Sequence, residues 1–235
     1  MKFPTELIEG RLVKRYKRFF ADVELADGQV VTAHCANTGA MTGIKAPGLP
    51  VWLSRSDNPK RKLKFTWELV EAEGTLIGAL PNLANALAEE AVSAGIIAEL
   101  TDYASLRREV KYGENSRIDL LLEGNGRPAC WVEVKNVHWQ RGPGIAEFPD
   151  GVTSRGAKHL VELANQVKAG ERAVQLFIVQ RSDCGVLRPA EDIDPVYAQT
   201  LRDSAAAGVE VLAYACDVSP TAVTITCPMR VELTS

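Results

Sequence analysis

Two short apolar segments near the middle of the chain, residues 117–122 and 129–136, flank a linker that contains an Asn-Gly pair. Such a pair between apolar runs is a strong hairpin signal, so the pattern predicts two antiparallel strands joined by a turn. Because side chains alternate along a strand, Glu133 and Lys135 share one face, and Asp119 on the partner strand can face them. Charged groups in apolar strands are costly unless they are paired or bind a metal. The hairpin is therefore the first candidate for a functional site.

The first part of the chain, up to about residue 70, shows short apolar runs separated by turn signals, without helical periodicity. Its last run, residues 62–70, alternates apolar and polar side chains, as expected of a half-buried antiparallel strand. The other predicted strands cover residues 19–25, 29–33 and 51–54. About five strands in a module of this size predict a small closed β-barrel of the OB type.

Beyond Pro81 the pattern changes to alternating helices and strands. Predicted helices span residues 82–94, 153–169 and 195–207, and predicted strands besides the hairpin span residues 107–112, 173–180 and 209–216. Residues 138–150, rich in glycine and proline, are predicted as a loop. A hairpin that leads through a helix into a buried strand favours a mixed sheet flanked by helices. The chain is thus predicted as an α+β or α/β protein with one domain at residues 1–80 and a second at residues 81–235.

Glu90 has an unusual position on the predicted helix 82–94. Leu83, Leu87 and Glu90 follow the i, i+4, i+7 spacing of one helical face, so Glu90 lies on the apolar stripe, whereas Glu89 does not. Two interpretations stay open. An acid on an apolar stripe either reaches water from the edge of the stripe or belongs to a site.

The net charge of −3 hides an asymmetry between the two parts of the chain. Residues 1–67 carry 12 Lys and Arg against 6 Asp and Glu, and residues 68–235 carry 15 against 24. A basic N-terminal part predicts contact with an anionic polymer. Two clusters within it, residues 14–20 and 55–62, interleave basic, aromatic and polar residues, the mix that neutralises phosphates and stacks bases. The alternative is a solvated basic surface whose aromatic residues belong to the barrel core.

These clusters give the candidate nucleic-acid-binding residues of the barrel. They are Lys14, Arg15, Lys17, Arg18, Arg55, Lys60, Arg61 and Lys62. Arg155 and Lys158, in the first turns of the predicted helix 153–169, are further candidates for contacting phosphate. DNA is accordingly the expected partner. The chain has no apolar run long enough to span a membrane and no signal-peptide pattern, so we expect a cytoplasmic protein with no membrane contact.

Asp119 and Glu133, joined by Glu90 from the helix, form a set of oxygen ligands that suits Mg²⁺ or Mn²⁺. The five cysteines and three histidines are too scattered for a zinc site. A hard metal would polarise a phosphate, and Lys135 could orient the attacking water or stabilise the charge that develops. The alternative for Glu133 and Lys135 is an ordinary salt bridge along one strand, which is worth little.

The spacing of Asp119, thirteen residues, and then Glu133-Val134-Lys135 resembles the PD-(D/E)xK nuclease motif, and the predicted order of elements resembles the core of that superfamily. Ile118 stands where the motif has proline. More specifically, nearly the whole chain resembles the sugar fermentation stimulation protein A family. The stretches that carry this likeness are residues 14–19, 32–39, 58–62, 109–113, 115–119, 132–137, 155–160 and 209–214.

This resemblance implies an OB-like domain followed by a restriction-endonuclease-like domain, DNA binding without strong sequence preference, and a regulatory part in sugar (maltose) metabolism. It also implies catalytic roles for Asp119, Glu133 and Lys135, with a helix acid at Glu90. Gln180, at the end of the predicted strand 173–180, is a candidate to approach the site, and a capping amide is its alternative.

Two functional hypotheses follow, and a third has little support. The first is a Mg²⁺-dependent enzyme that hydrolyses DNA phosphodiesters. The second is a DNA-binding regulator that keeps the nuclease-like fold and does not cut. A small-sugar-binding protein is disfavoured, because the sequence shows no concentration of aromatic and amide residues outside the basic clusters.

Overall fold

The computed structural model describes residues 1–112 and 116–234. Gly113 and Asn115, which belong to two stretches of the family resemblance, lie outside the described residues. In chain order the strands and helices are β1 (Ile8–Tyr16), β2 (Phe20–Leu25), β3 (Val30–His34), β4 (Pro50–Arg55), β5 (Phe65–Ala72), β6 (Thr75–Gly78), α1 (Leu83–Ser93), β7 (Ser105–Tyr112), β8 (Ser116–Glu123), β9 (Cys130–Val137), β10 (Gly144–Phe148), α2 (Ser154–Lys168), β11 (Arg172–Val179), β12 (Cys184–Pro189), α3 (Pro195–Ala206), β13 (Glu210–Val218), β14 (Val223–Pro228) and β15 (Arg230–Val231).

Strands β1 to β6 form one sheet in the order β3-β2-β1-β4-β5-β6. Parallel pairing of β3 with β5, through Ala33 and Phe65, closes the first five strands into a barrel. Leu12, Val23 and Trp67 are among the buried side chains of its interior. The predicted closed five-stranded barrel is therefore confirmed. The sequence pattern alone does not predict β6, which extends the sheet beyond the barrel.

Strand β5 departs from the alternation predicted for residues 62–70. Trp67 and Val70 pack inside the barrel, whereas Leu69 packs against α1 and the second sheet. The register shift where β5 pairs with Trp52 and Leu53 of β4 allows this, because one extra residue in β5 puts Trp67 and Leu69, two positions apart, on opposite faces of the strand. One strand thus contributes to two hydrophobic cores.

The second sheet has the order β14-β13-β11-β9-β8-β7 in the described part of the chain. Strands β9, β11 and β13 are parallel, and antiparallel neighbours flank them on both sides. Helix α1 packs on one face, together with Leu69 of the barrel, and α2 and α3 pack on the other. This arrangement confirms the predicted mixed sheet flanked by helices.

Residues 138–150, predicted as a loop, contain strand β10, so that prediction is wrong in part. The strand pairs in parallel with β12, and β12 pairs with β15 in a small third sheet. Its strand partner, β12, lies far along the chain, which explains why the local pattern of glycine and proline did not predict the strand.

The helix termini follow local chemistry at α2 and α3. Thr153 accepts a hydrogen bond from the backbone of Gly156, and Asp194 accepts one from the backbone of Tyr197. Asn82 stands at the N-cap position of α1, where its side chain makes no cap hydrogen bond. Among the described residues, no helix is long and apolar enough to cross a membrane.

Candidate active site

The site forms where β8 and β9 separate. Their pairing runs from Leu122 to Leu120 and goes no further. Beyond that point the Asp119 Oδ2 atom accepts the backbone N–H of Val134 at 2.7 Å, and its Oδ1 atom accepts the Asn85 side-chain amide of α1 at 2.7 Å. The carboxylate of Asp119 therefore replaces the backbone hydrogen bonds between β8 and β9 at this point. It lies beside the segment of β9 that carries Glu133.

Glu133 is buried, with 3 % of its surface exposed, and its two oxygens have different surroundings. Oε1 accepts hydrogen bonds from Lys135 Nζ at 2.5 Å and from His159 Nδ1. Oε2 is buried and has no hydrogen-bond partner among the described residues. A buried carboxylate oxygen without a partner is costly unless a ligand satisfies it.

Hydrogen bonds to Arg155 and Glu133 fix the orientation and the tautomer of the His159 ring. Arg155 Nε donates to His159 Nε2 at 3.3 Å, so the proton of a neutral imidazole belongs on Nδ1, where it points at Glu133. The ring is buried near the start of α2. Arg155, His159 and Glu133 therefore form a chain of hydrogen bonds that fixes the Glu133 carboxylate.

The two acids have pKa values that shift in opposite directions. Burial would raise the pKa of Glu133, but the hydrogen bond from His159 and the charge of Lys135 outweigh it, so that pKa is lowered. Burial and the neighbouring charge of Glu133 raise the pKa of Asp119 to about 6. Opposed shifts of two nearby acids are characteristic of functional sites, and a cation between them would relieve their repulsion.

The raised pKa of Asp119 predicts a pH-dependent cost to stability. At pH 4, close to the unfolded-state pKa, most of this cost is absent, and at pH 7.5, above the folded-state pKa of about 6, it is present in full. Relative to Asp119→Asn, the wild-type protein should therefore lose on the order of 2 kcal/mol of unfolding free energy between these pH values. Urea unfolding of both proteins in a chelator at several pH values measures this. A pH-independent difference between them would contradict the assignment.

The carboxylates open into a cavity of about 550 Å³ between the barrel and the mixed sheet. One wall is residues 133–136 of β9, and another is the beginning of α2, with Arg155 and His159. The barrel contributes residues 36–39, which follow β3, and the link at Pro81 and Asn82 completes the lining. The cavity is thus built jointly by the two parts of the protein.

The segment 36–39 is anchored from the barrel side. The buried Asn37 side chain donates to the carbonyl of Ala79 at 3.2 Å and accepts the backbone N–H of Gly39 at 2.9 Å. Arg15 donates to the carbonyls of Asn37 and Gly39, and Arg18 donates to that of Thr38. Two arginines predicted to contact nucleic acid therefore also hold the wall of the cavity.

Asp150 anchors the same part of the barrel from the opposite side. Burial would raise the pKa of its carboxyl, but His138 at 3.4 Å and hydrogen bonds from the backbone of Met41 and Thr42 lower it. The barrel segment that lines the cavity is therefore bound to both parts of the protein.

Gln180 joins the two parts of the protein at the junction next to the cavity. Its side-chain amide donates to the carbonyl of Leu80 at 2.9 Å and to Asn136 Oδ1 at 2.5 Å. Asn136 itself lines the cavity. Both sequence-based interpretations of Gln180 are therefore correct in part: it satisfies backbone at the junction and approaches the site through Asn136.

The structure does not bring Glu90 to the cavity. Its side chain is 52 % exposed and pairs with the amino group of Met1 at 3.0 Å. The buried face of α1 consists of Ala84, Leu87, Ala88 and Ala91, so the predicted stripe was rotated relative to the real one. Among the described residues, no group of three or more His, Cys, Asp or Glu side chains is placed to hold a metal, and the predicted three-acid ligand set is not formed.

The remaining predicted basic residues lie on the surface or in ion pairs. Lys14 pairs with Asp22 at 3.5 Å, Arg61 donates to Thr66, and Lys158 pairs with Glu162 at 3.6 Å. Lys17 lies in the turn between β1 and β2, with a φ of 49°. Exposed positions are occupied by Arg55, Lys60 and Lys62.

Sequence reasoning missed Asn85 and His159 as site residues. No sequence pattern around Asn85 indicates a role in the site, because only the packing of α1 on the sheet places its amide at Asp119. His159 could have been found, since it lies four residues after Arg155 on the predicted helix and therefore on the same face.

Comparison with known proteins agrees with this architecture. The family model for the sugar fermentation stimulation protein RE domain matches residues 82–222, and that for the SfsA N-terminal OB domain matches residues 13–79. A sugar fermentation stimulation protein homolog of Maricaulis maris is 92 % identical over 233 residues, covering 99 % of both chains. The homolog of Paramagnetospirillum magneticum is 56 % identical over 234 residues, covering 100 % of this chain and 99 % of its own.

A solved structure has the same fold. The structure of Pyrococcus furiosus SfsA in complex with Ca²⁺ superposes with a TM-score of 0.88 and 24 % identity, covering 99 % of this chain and 98 % of that one. With both family models matched in chain order and close relatives aligned from end to end, the chain belongs to the sugar fermentation stimulation protein family.

Proposed function

We propose that this protein binds DNA and hydrolyses its phosphodiester bonds in a Mg²⁺- or Mn²⁺-dependent reaction at Asp119, Glu133 and Lys135. The observation that carries the proposal is the buried, unpartnered Oε2 atom of Glu133 beside Asp119, at the base of a cavity. In this proposal residues 1–80 act as the DNA-binding domain and residues 81–235 as the catalytic domain.

The oxygen donors of the site fit a hard divalent cation. Mg²⁺ is commonly held by one or two carboxylates and keeps several waters, so the pair Asp119 and Glu133 suffices without the third acid expected from Glu90. When bound, such an ion polarises a phosphate and lowers the pKa of a water. The Pyrococcus furiosus SfsA structure is described as a complex with Ca²⁺.

The chain's own residues have distinct parts in this reaction. Lys135, whose ammonium group already contacts Glu133, is within reach of the same cavity and can stabilise the negative charge that develops on a phosphate. Arg155 lines the cavity and can orient a phosphate oxygen. His159 keeps Glu133 ionised and in place through Nδ1.

The barrel surface supports DNA binding. Tyr16 and Phe20 stack with their ring centroids 5.5 Å apart, and Phe19 beside them is 47 % exposed. These aromatic rings are therefore outside the barrel core, in contrast to the alternative considered for them. The exposed ring of Phe19 and the half-buried rings of Tyr16 and Phe20, next to Lys17 and Arg18, offer base stacking together with phosphate neutralisation, the usual basis of sequence-independent binding.

A cleavage assay tests the proposal. Purified protein is incubated with labelled single-stranded, duplex and branched DNA in Mg²⁺, in Mn²⁺ and in a chelator. We expect metal-dependent cleavage that Asp119→Asn and Lys135→Ala abolish while DNA binding persists. Cleavage at full rate in Asp119→Asn would refute the assignment of the site.

A non-catalytic regulator of sugar (maltose) metabolism is the second candidate. The family name favours it. It predicts no metal-dependent turnover on any of these substrates, together with unchanged DNA binding in variants of Asp119, Glu133 and Lys135.

The salt dependence of binding should identify the residues that contact phosphate. Replacing the exposed Lys60 and Lys62 by glutamine should lower the slope of log K against log salt by about 0.7 to 0.9 for each phosphate that the protein no longer neutralises. Glu6→Gln, an exposed change elsewhere on the same part of the chain, is the matched control, because it removes no cation. Fluorescence anisotropy across a salt series measures the slopes. An unchanged slope in the double variant would show that DNA binds elsewhere.

A further inference from the structure

The acids of the site lie in a recess. Glu133 is 3 % exposed and the Lys135 side chain 16 % exposed, and the way to them leads through the cavity of about 550 Å³. This volume is in the range of small-ligand pockets, about 300 to 1,000 Å³. A phosphodiester must therefore enter the cavity before it can approach the carboxylates.

The walls of the recess are fixed. The barrel wall, residues 36–39, is held by the buried Asn37 side chain and by Arg15 and Arg18 on its carbonyls. Asp150 binds the adjoining backbone from the mixed-sheet side. A segment with so many anchors does not swing aside like a flexible flap, so this wall stays in place beside the carboxylates.

The junction below the wall is equally constrained. Gly78 donates its backbone N–H to the carbonyl of Gln180 at 2.9 Å, and the Gln180 side chain spans from Leu80 to Asn136. The barrel and the mixed sheet are therefore locked together beside the cavity, and a hinge opening between them would break these buried hydrogen bonds.

Duplex DNA does not match such a recess. A duplex is stiff, with a persistence length of about 50 nm, so bringing an internal phosphate to buried carboxylates at the base of a recess requires sharp bending or unpairing. A single strand bends freely and can present one nucleotide at a time. We propose, resting on the nuclease function proposed above, that the cavity takes single-stranded DNA, as a free strand or an unpaired end, and excludes the paired interior of a duplex.

The test compares one sequence in three forms: a single strand, a blunt duplex, and a duplex with an unpaired tail. We expect kcat/KM for the single strand to exceed that for the blunt duplex at least about tenfold, with cuts in the tailed duplex confined to the tail. Cuts inside the paired region at a comparable rate would overturn the inference.

A variant with a larger side chain in the cavity tests whether the single strand passes through it. Thr38 is exposed and lines the barrel wall, and its carbonyl contact with Arg18 survives substitution. Thr38→Trp should reduce cleavage of the single strand about tenfold. Thr224→Trp, at an exposed position on the edge strand β14, should leave it unchanged. Equal activity of the Thr38→Trp variant and the wild type would count against the cavity as the path of the strand.

Photo-crosslinking tests whether single-stranded DNA enters the cavity without requiring that the protein cut it. Glu133→Gln protein is irradiated with a single strand carrying 5-iodouracil, or with the matching duplex, so that no turnover is needed. Crosslinks from the single strand alone to residues 36–39, 133–138 or 153–159 support the inference even if the protein never cuts DNA. Identical crosslinks from both forms, confined to the outer barrel surface, would overturn it.

Discussion

Replacing Glu133 by glutamine is expected to reduce metal-dependent DNA cleavage by about 10³-fold or more, since it removes a metal ligand and its charge together. Glutamine has nearly the same shape, and its carbonyl oxygen can still accept hydrogen bonds from Lys135 and His159. The fold should therefore persist. Initial rates with Mg²⁺ and Mn²⁺, together with calorimetric titration of Mn²⁺, measure the effect, and we expect the Mn²⁺ affinity to fall in parallel.

Glu123→Gln provides the matched control for this substitution. Glu123 lies on the partner strand β8, is 39 % exposed and pairs with Arg107 on the surface. Its replacement should change neither cleavage nor Mn²⁺ affinity. Wild-type cleavage by Glu133→Gln protein, with the control also active, would show that the reaction takes place elsewhere or comes from a contaminant.

Gly78→Ala is expected to destabilise the protein by about 3 kcal/mol or more. A Cβ atom at Gly78 would lie 2.0 Å from Gln180 Oε1 and 2.9 Å from Gln180 Cβ. Gln180 is fully buried and its Nε2 atom donates hydrogen bonds to both Leu80 and Asn136, so the side chain has little room to move. Urea unfolding should therefore show a lower midpoint with an unchanged slope.

Two further variants separate this clash from a general intolerance of alanine in strands. Gly185→Ala, on β12, meets nothing within 4 Å and should change the unfolding free energy by less than about 0.5 kcal/mol. Gly78→Ala combined with Gln180→Ala should be less destabilised than the sum of the single variants, because the shortened side chain makes room. Simple additivity of the two would indicate that the cost does not arise from their contact.

Local patterns were reliable where the determining interactions are close in the sequence. The hairpin of β8 and β9, the helix α2 and the buried strand β11 all follow from turn residues and from the spacing of apolar residues. The alternation predicted for residues 62–70 failed beyond Trp67, because a register shift lets β5 serve the barrel and the second core in turn. Strand β10 was missed because its partner, β12, is distant in the chain.

The sequence by itself determined that Asp119, Glu133 and Lys135 would meet, since strand alternation and a short turn dictate which side chains share a face. It also determined the family and the basic character of the barrel. Only the tertiary structure decided that α1 presents Asn85 rather than Glu90 to Asp119, that His159 holds Glu133, and that the barrel walls the cavity. The physical reason is that the rotation of a helix and the meeting of two cores are settled by long-range packing, which periodicity in one sequence does not specify.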